Sequence, residues 1–334
     1  MTRAEIPGLQ APDPELEAAL RSRLDLVERA LEKAVIADYD LLTEAAGHLL
    51  RAGGKRFRPM LVMLAGSFGD PADSRLVPGA VAIELTHVAT LYHDDVIDEA
   101  EFRHGVPSVN AQWSNSVAIV SGDYLFARAA EIASDLGTEV TRLLAKTIAT
   151  VCDGQVREVT NAGAINRDEA AYMDTIRRKT AALIATSCRL GGMLSDAPAE
   201  HVEILDEFGD ALGMGFQLSD DIMDVIASET TLGKEPGVDM KEGVYTLPVL
   251  HALAEGPDRE ELRALLAPGP PDGDRRARAL EIARADGSLA HARAAVTREV
   301  RRARDLADRL PGGSPRDALT HLAEYVAIRC GAEA

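Results

Sequence analysis

From Pro14 onward the apolar positions Leu16, Leu20, Leu24, Val27 and Leu31 step by fours and threes, the spacing that keeps one face of an α-helix apolar. Pro14 stands near its start, where a helix tolerates proline. A second helix is predicted over about 40–50, ended by Gly53-Gly54. Lys55-Arg56-Phe57-Arg58-Pro59 opens a third, with Pro59 in its first turn. Val81, Leu85, Val88 and Tyr92 line one side of a pattern from about Pro78 to Asp98, whereas 99–108 is polar, carries Gly105 and Pro107, and reads as a loop. Further helices are predicted over 115–135, 138–161, 168–193 and 199–228; residues 231–243 are too rich in Gly, Pro and charge for a core helix. Beyond Thr246-Leu247-Pro248 the pattern is helical again. It breaks at 268–273 (Pro-Gly-Pro-Pro-Asp-Gly) and resumes as peripheral amphipathic helices over 275–285, 288–310 and 315–329. No run sustains the alternation a half-buried strand needs, so the chain is predicted to be all-α.

Composition narrows the picture. A chain of 334 residues can bury a large core, and we read it as one helical domain rather than two. A net charge of −18 argues against nucleic acid as a partner. Cys152, Cys188 and Cys330 have neither the number nor the spacing of a disulfide frame or zinc site; Cys152 and Cys188 read as buried packing residues. Met1 to Pro14 lacks an apolar leader core, and no stretch approaches the ~20 apolar residues of a membrane span. A soluble protein of the reducing cytoplasm is expected.

The chemistry concentrates in two clusters of identical spacing, Asp94-Asp95-Val96-Ile97-Asp98 and Asp220-Asp221-Ile222-Met223-Asp224. On a helix the first and last Asp of each are i and i+4, so their side chains leave one face within about 6 Å of each other. A single such run in an acidic protein is usually a solvated face. Two at matched spacing, each closing a strongly apolar stretch, favour function. Six carboxylates on facing helices would repel without a positive charge between them, and divalent ions carrying a phosphorylated ligand are the natural candidate.

Basic residues accompany both clusters. Basic side chains at a helix N-terminus oppose the macrodipole, so Lys55 and Arg58 after Gly53-Gly54 point to a bound anion. Arg103-His104 follows the first cluster; Lys179 lies in Arg177-Arg178-Lys179-Thr180 and Lys234 in Gly233-Lys234-Glu235-Pro236-Gly237. His87 lies two helical turns before Asp94, on about the same face.

Gly53-Gly-Lys-Arg-Phe-Arg-Pro59, Glu84-Leu-Thr-His87, His93-Asp-Asp-Val-Ile-Asp98, Gly154-Gln155, Lys179-Thr180, Phe216-Gln-Leu-Ser-Asp-Asp-Ile-Met-Asp224 and Gly233-Lys234 together resemble the all-trans polyprenyl diphosphate synthases, in consistent order from about residue 41 to 250. The resemblance implies the isoprenoid synthase fold, a bundle of long helices around a central cavity forming one domain over 1–334 with peripheral helices over about 251–330, usually as a homodimer. It implies that three Mg2+ ions, with Mn2+ as a substitute, are held by Asp94 and Asp98 on one wall and Asp220 on the other. Asp95, Asp221 and Asp224 would support that cage. Arg103, Lys179, Gln217 and Lys234 are the implied contacts to an allylic diphosphate (dimethylallyl, geranyl, farnesyl or geranylgeranyl), with Thr180 beside the allylic cation. Isopentenyl diphosphate falls to Lys55, Arg58, His87 and His104.

Two positions depart from the family pattern. His104 stands where a second arginine is usual, and Val244 where lysine is frequent. One and two turns before Asp94 come Thr90 and Thr86, with Ala89 beside them. Their small side chains, where short-chain relatives place an aromatic floor, predict a product of geranylgeranyl length or longer. A terpene cyclase and a non-catalytic subunit of a heteromeric synthase are the competing readings. The basic acceptor residues and the second intact cluster weigh against both.

Overall fold

A computed structural model describes residues 13–226 and 236–334, and they are helical almost throughout. The elements in chain order are α1 (Pro14–Ala34), α2 (Asp40–Ala46), α3 (His48–Ala52), α4 (Phe57–Ala65), α5 (Leu76–Ile97), β1 (Phe102–Arg103), β2 (Val106–Pro107), α6 (Val109–Gln112), α7 (Asn115–Asp135), α8 (Thr138–Thr160), α9 (Glu169–Ile176), a π-helical turn (Arg177–Ala181), α10 (Ala182–Leu194) and α11 (Ala199–Ile226). After the second described stretch begins come α12 (Val238–Lys241), α13 (Leu247–Glu255), α14 (Arg259–Leu266), α15 (Gly273–Ala283), α16 (Asp286–Ala307) and α17 (Ser314–Cys330). No described helix is long and apolar enough to cross a membrane.

Several expectations are corrected. The predicted loop 99–108 contains an antiparallel hairpin, with Phe102 opposite Pro107 and Arg103 opposite Val106. Its turn residues His104 and Gly105 have φ of 52° and 78°, which suits a two-residue hairpin connection. The helix predicted over 40–50 is divided at Gly47, and that predicted over 168–193 contains the π-helical turn, where one extra residue per turn is accommodated. Of the segment 231–243, read as unsuited to a core helix, residues 238–241 form the one-turn α12, and 231–235 lie outside the described residues. Cys152 is exposed, although Cys188 is buried as expected.

The described residues pack as two compact units. The first takes in residues up to Ile148, Leu183–Gly209 and Ala307–His321. Its centre is α4 and α5. Met60 to Ala65 of α4 are all buried, and so are residues around the full circumference of α5, which explains its apolar composition on every side. The stripe Leu20, Leu24, Val27 and Leu31 of α1 is buried as its period predicts. α7 packs along α5 with Gly122 beneath the His93 ring. Tyr92, also on α5, is buried and donates through its hydroxyl to Ala45 O at 2.7 Å, which holds the end of α2.

The second unit takes in Ala149–Ala182, Asp210–Leu306 and Leu322–Ala334. Its buried residues include Tyr172, Leu212, Met214, Leu218 and Ile222, with Val300 of α16 and Val326 of α17. Gly215 of α11 faces α16 and α17 at ordinary van der Waals spacing: a Cβ there would stand 3.4 Å from Val326 and 3.7 Å from the Glu299 Cβ.

One of the tight backbone approaches in the first unit is at Gly191 of α10, where a Cβ would lie 2.3 Å from Val62 O of α4. Because the obstacle is backbone, Gly191→Ala is expected to destabilise by about 1–3 kcal/mol in spite of alanine's better helix propensity. Equilibrium urea unfolding of variant and parent checks this through the shift in midpoint.

Candidate active site

The first acidic cluster closes α5. Asp98 N donates to Asp94 O at 2.8 Å, so the helix ends with Asp98 as its cap. The three carboxylates meet different surroundings: Asp94 is half-buried, Asp98 exposed, and Asp95 0 % exposed. Asp95 Oδ1 accepts from Arg103 Nε at 2.7 Å and lies 2.6 Å from Nη2, while Asn110 Nδ2 donates to Asp95 O at 3.2 Å. Burial raises the Asp95 pKa and the Arg103 guanidinium opposes that rise. Asp95 Oδ2 is buried with no hydrogen-bond partner among the described residues. The hairpin thus serves as a bracket that brings Arg103 onto the middle carboxylate. In this structure the guanidinium assigned to a diphosphate is turned toward Asp95.

Two turns back along α5 lies a basic group. Arg56, which sequence reasoning passed over, adopts φ of 47° as the N-cap of α4 and is 7 % exposed. Its guanidinium pairs with Glu28 at 2.5 Å, with the buried Glu84 at 3.2 Å, and donates to Leu50 O at 2.8 Å. Part of the positive charge at this helix start therefore has an internal partner rather than an external anion. The neighbours differ: Lys55 is exposed, and the partly exposed Arg58 has a buried Nε with no hydrogen-bond partner among the described residues. His87 is half-buried, and burial with the Arg58 and Arg103 cations holds its pKa well below 6.5. Burial and Arg103 likewise lower His104. Both imidazoles are neutral near pH 7 and can each donate one N–H.

The small residues assigned to the chain-length wall separate. Thr86 and Ala89 are 1 % and 0 % exposed, with the Thr86 hydroxyl donating to Ala82 O at 2.8 Å, whereas Thr90 is partly exposed. Of the three, Thr90 has accessible surface.

The second cluster lies on α11. Its middle carboxylate is again sunk: Asp221 is 3 % exposed, Oδ2 accepts from the Tyr172 hydroxyl, and Oδ1 accepts from Gln217 Nε2 at 2.7 Å. Burial pushes its pKa up to about 7. Gln217 Oε1 accepts from Thr180 Oγ1 at 2.8 Å, so Thr180, Gln217 and Asp221 form one chain of hydrogen bonds. Lys179, on the π-helical turn, pairs with Glu158 of α8. Gly154 passes beneath that turn, where a Cβ would lie 2.6 Å from Lys179 N. Asp220 is partly exposed and pairs with Arg329 of α17 at 2.5 Å. Asp224 is 4 % exposed, its O accepting from Gly237 N at 2.9 Å and its Oδ2 from Asp239 N at 3.3 Å. Lys234 lies outside the described residues.

Tyr172, Glu158, Arg56 and Arg329 are the site neighbours that sequence reasoning missed. Among them only Arg56 had a signal, its place between Lys55 and Phe57 in the basic run after Gly53-Gly54. The accessible donors of both clusters are carboxylate oxygens, the choice of a hard divalent cation. Among the described residues no group of three His, Cys, Asp or Glu side chains forms a ready-made cage.

Residues 39–283 match the Polyprenyl synthetase family. The chain is 41 % identical over 329 residues to nonaprenyl diphosphate synthase of Mycobacterium tuberculosis, covering 98 % of each. It is 42 % identical over 313 residues to heptaprenyl diphosphate synthase component 2 of Geobacillus stearothermophilus, covering 93 % of this chain and 97 % of the relative. Geranylgeranyl pyrophosphate synthase from Corynebacterium glutamicum, complexed with calcium and isoprenyl diphosphate, superposes with a TM-score of 0.85 at 41 % identity, over 96 % of this chain and 99 % of that one.

The depressed pKa of His87 links stability to pH. The unfolded chain takes up a proton near pH 6.5 that the fold refuses, so stability is lost as pH falls below that value, by at most about 1.4 kcal/mol per pH unit. Urea unfolding of the parent and His87→Asn at pH 7.5 and 5.5 is expected to show a smaller loss on acidification in the variant.

Proposed function

The chain belongs to the polyprenyl synthetase family, and we propose that it condenses an allylic diphosphate with isopentenyl diphosphate to give an all-trans polyprenyl diphosphate of C20 or longer. The observation that carries this reading is the shared build of the two clusters: a buried, hydrogen-bonded middle carboxylate beside an accessible first one. The names of the relatives, from geranylgeranyl to nonaprenyl synthases, support the product class.

Asp94, Asp98 and Asp220 would hold Mg2+, three ions in all, with Asp95, Asp221 and Asp224 as braces. When bound, the metal neutralises the leaving diphosphate and so favours ionisation of the allylic carbon–oxygen bond. Lys179, Gln217, Arg103 and Lys234 orient that diphosphate. For Lys179 and Arg103 this means exchanging the carboxylates of Glu158 and Asp95 for phosphate oxygens, both being acceptors that suit a cationic donor. The Thr180 hydroxyl directs its dipole toward the allylic cation. Lys55, Arg58 and His104 hold isopentenyl diphosphate, and the neutral His87 donates an N–H to it without adding charge. The acceptor double bond attacks the allylic carbon, and the proton lost from the new cation goes to the departed diphosphate. Thr90 stands along the path of the growing tail.

The chain would act as a homodimer, which would cover apolar residues such as Ile119 and Val120 of α7, 43 % and 58 % exposed. A second reading, in which a different chain must join it, is favoured by the component 2 designation of the Geobacillus relative.

The test is incubation of the purified chain with Mg2+, farnesyl diphosphate and labelled isopentenyl diphosphate. Labelled products of C20 or longer are expected; a cyclised hydrocarbon would refute the assignment, and turnover only on addition of a second subunit would favour the heteromeric reading. Thr90→Phe is expected to shorten the product by one or more isoprene units on chromatography, and unchanged length removes Thr90 from the wall.

A further inference from the structure

We propose that Arg329 is a displaceable counter-cation of the second cluster, a residue that competes with divalent metal for Asp220 and so links metal uptake to the end of the C-terminal helix. The proposal rests on the reading of Asp220 as a metal ligand.

Three observations converge on it. Arg329 Nη2 lies 2.5 Å from Asp220 Oδ1. The same guanidinium stands over the Phe216 ring at 5.2 Å from its centroid. Phe216 and Asp220 are i and i+4 on α11, so ring and carboxylate lie on one face and receive the guanidinium together. The backbone around Arg329 is also held in place. Arg293 Nε donates to Cys330 O at 3.0 Å, and Thr297 Oγ1 donates to Glu333 O at 3.1 Å, both from α16. The long side chain is therefore the part able to move.

Exposure decides between a permanent strut and an exchangeable partner. The Arg56–Glu84 pair is sealed, with side-chain exposures of 7 % and 5 %. Arg329 and Asp220 are 24 % and 39 % exposed, where water screens the attraction and an ion pair is weak. A divalent cation, doubly charged and assisted by phosphate oxygens, can displace a single guanidinium from such a carboxylate. Until then Arg329 offsets charge in a run of three aspartates and keeps Asp220 oriented. Linkage makes the effect reciprocal: whatever weakens the Arg329 contact tightens metal binding, and metal binding frees the guanidinium.

The experiment measures Mn2+ binding to the full-length, substrate-free protein by electron paramagnetic resonance of unbound Mn2+. Arg329→Gln is expected to bind roughly three- to tenfold more tightly than the parent. Phe216→Leu, which removes the ring and keeps the charge, should shift affinity the same way by less, and Arg329→Lys should stay near the parent value. Equal or weaker Mn2+ binding in Arg329→Gln, with the parent's helical circular dichroism retained, overturns the proposal. If neither parent nor variants bind Mn2+ even with inorganic diphosphate present, the metal-ligand reading of Asp220 fails, and this proposal with it.

Discussion

Burying a carboxylate is costly unless something donates to it, and this chain buries one at the centre of each acidic cluster. Asp95 is held by Arg103 from the hairpin; Asp221 is held by Tyr172 from α9 and Gln217 from its own helix. Each arrangement recruits a neighbouring element whose position would otherwise be loosely defined. The hairpin frames the first, since Arg103 lies on β1, paired with Val106 across the His104-Gly105 turn. The second joins α9 to α11. Local order around each site thus follows from the need to satisfy an inner carboxylate, which leaves neighbouring ones accessible for chemistry.

The clusters share a sequence and differ in use. In the first, the last aspartate is exposed and ends its helix. In the second, Asp224 is buried and receives backbone N–H groups at the start of the segment following the undescribed stretch. Their neighbours differ as well: a set of cations around His87 lies two turns behind the first, while the second is accompanied by a hydrogen-bonded chain through Gln217 and Thr180.

Much of the fold was legible because its signals are local and periodic. α1, α7 and α8 lie close to the spans their apolar spacing predicts, and the punctuation at 268–273 does separate two helices. The hairpin was not legible, for its strands of two residues are too short to alternate, although His104-Gly105 carried a faint trace of the turn. Nor could pattern rank the basic run Lys55-Arg56-Phe57-Arg58. Which side chain turns inward depends on the left-handed backbone at Arg56 and on acids 28 residues away on either side, Glu28 and Glu84. Tyr172 and Arg329 escaped for the same reason: their partners are remote in sequence, and an ordinary tyrosine or arginine on a helix carries no mark of the carboxylate it meets.

The π-helical turn at Arg177–Ala181 has a consequence for reading any sequence of this kind. A ruler of 3.6 residues per turn laid across 169–194 as a single helix drifts by about 100° once the extra residue is passed, since each residue of an α-helix advances the azimuth by that amount. Side chains on the two sides of the turn then obey different wheels. The azimuth of α10 must be counted afresh from Ala182, and a single insertion or deletion near Lys179 would act as a dial, re-aiming one half of the rod against the other while leaving its composition almost untouched.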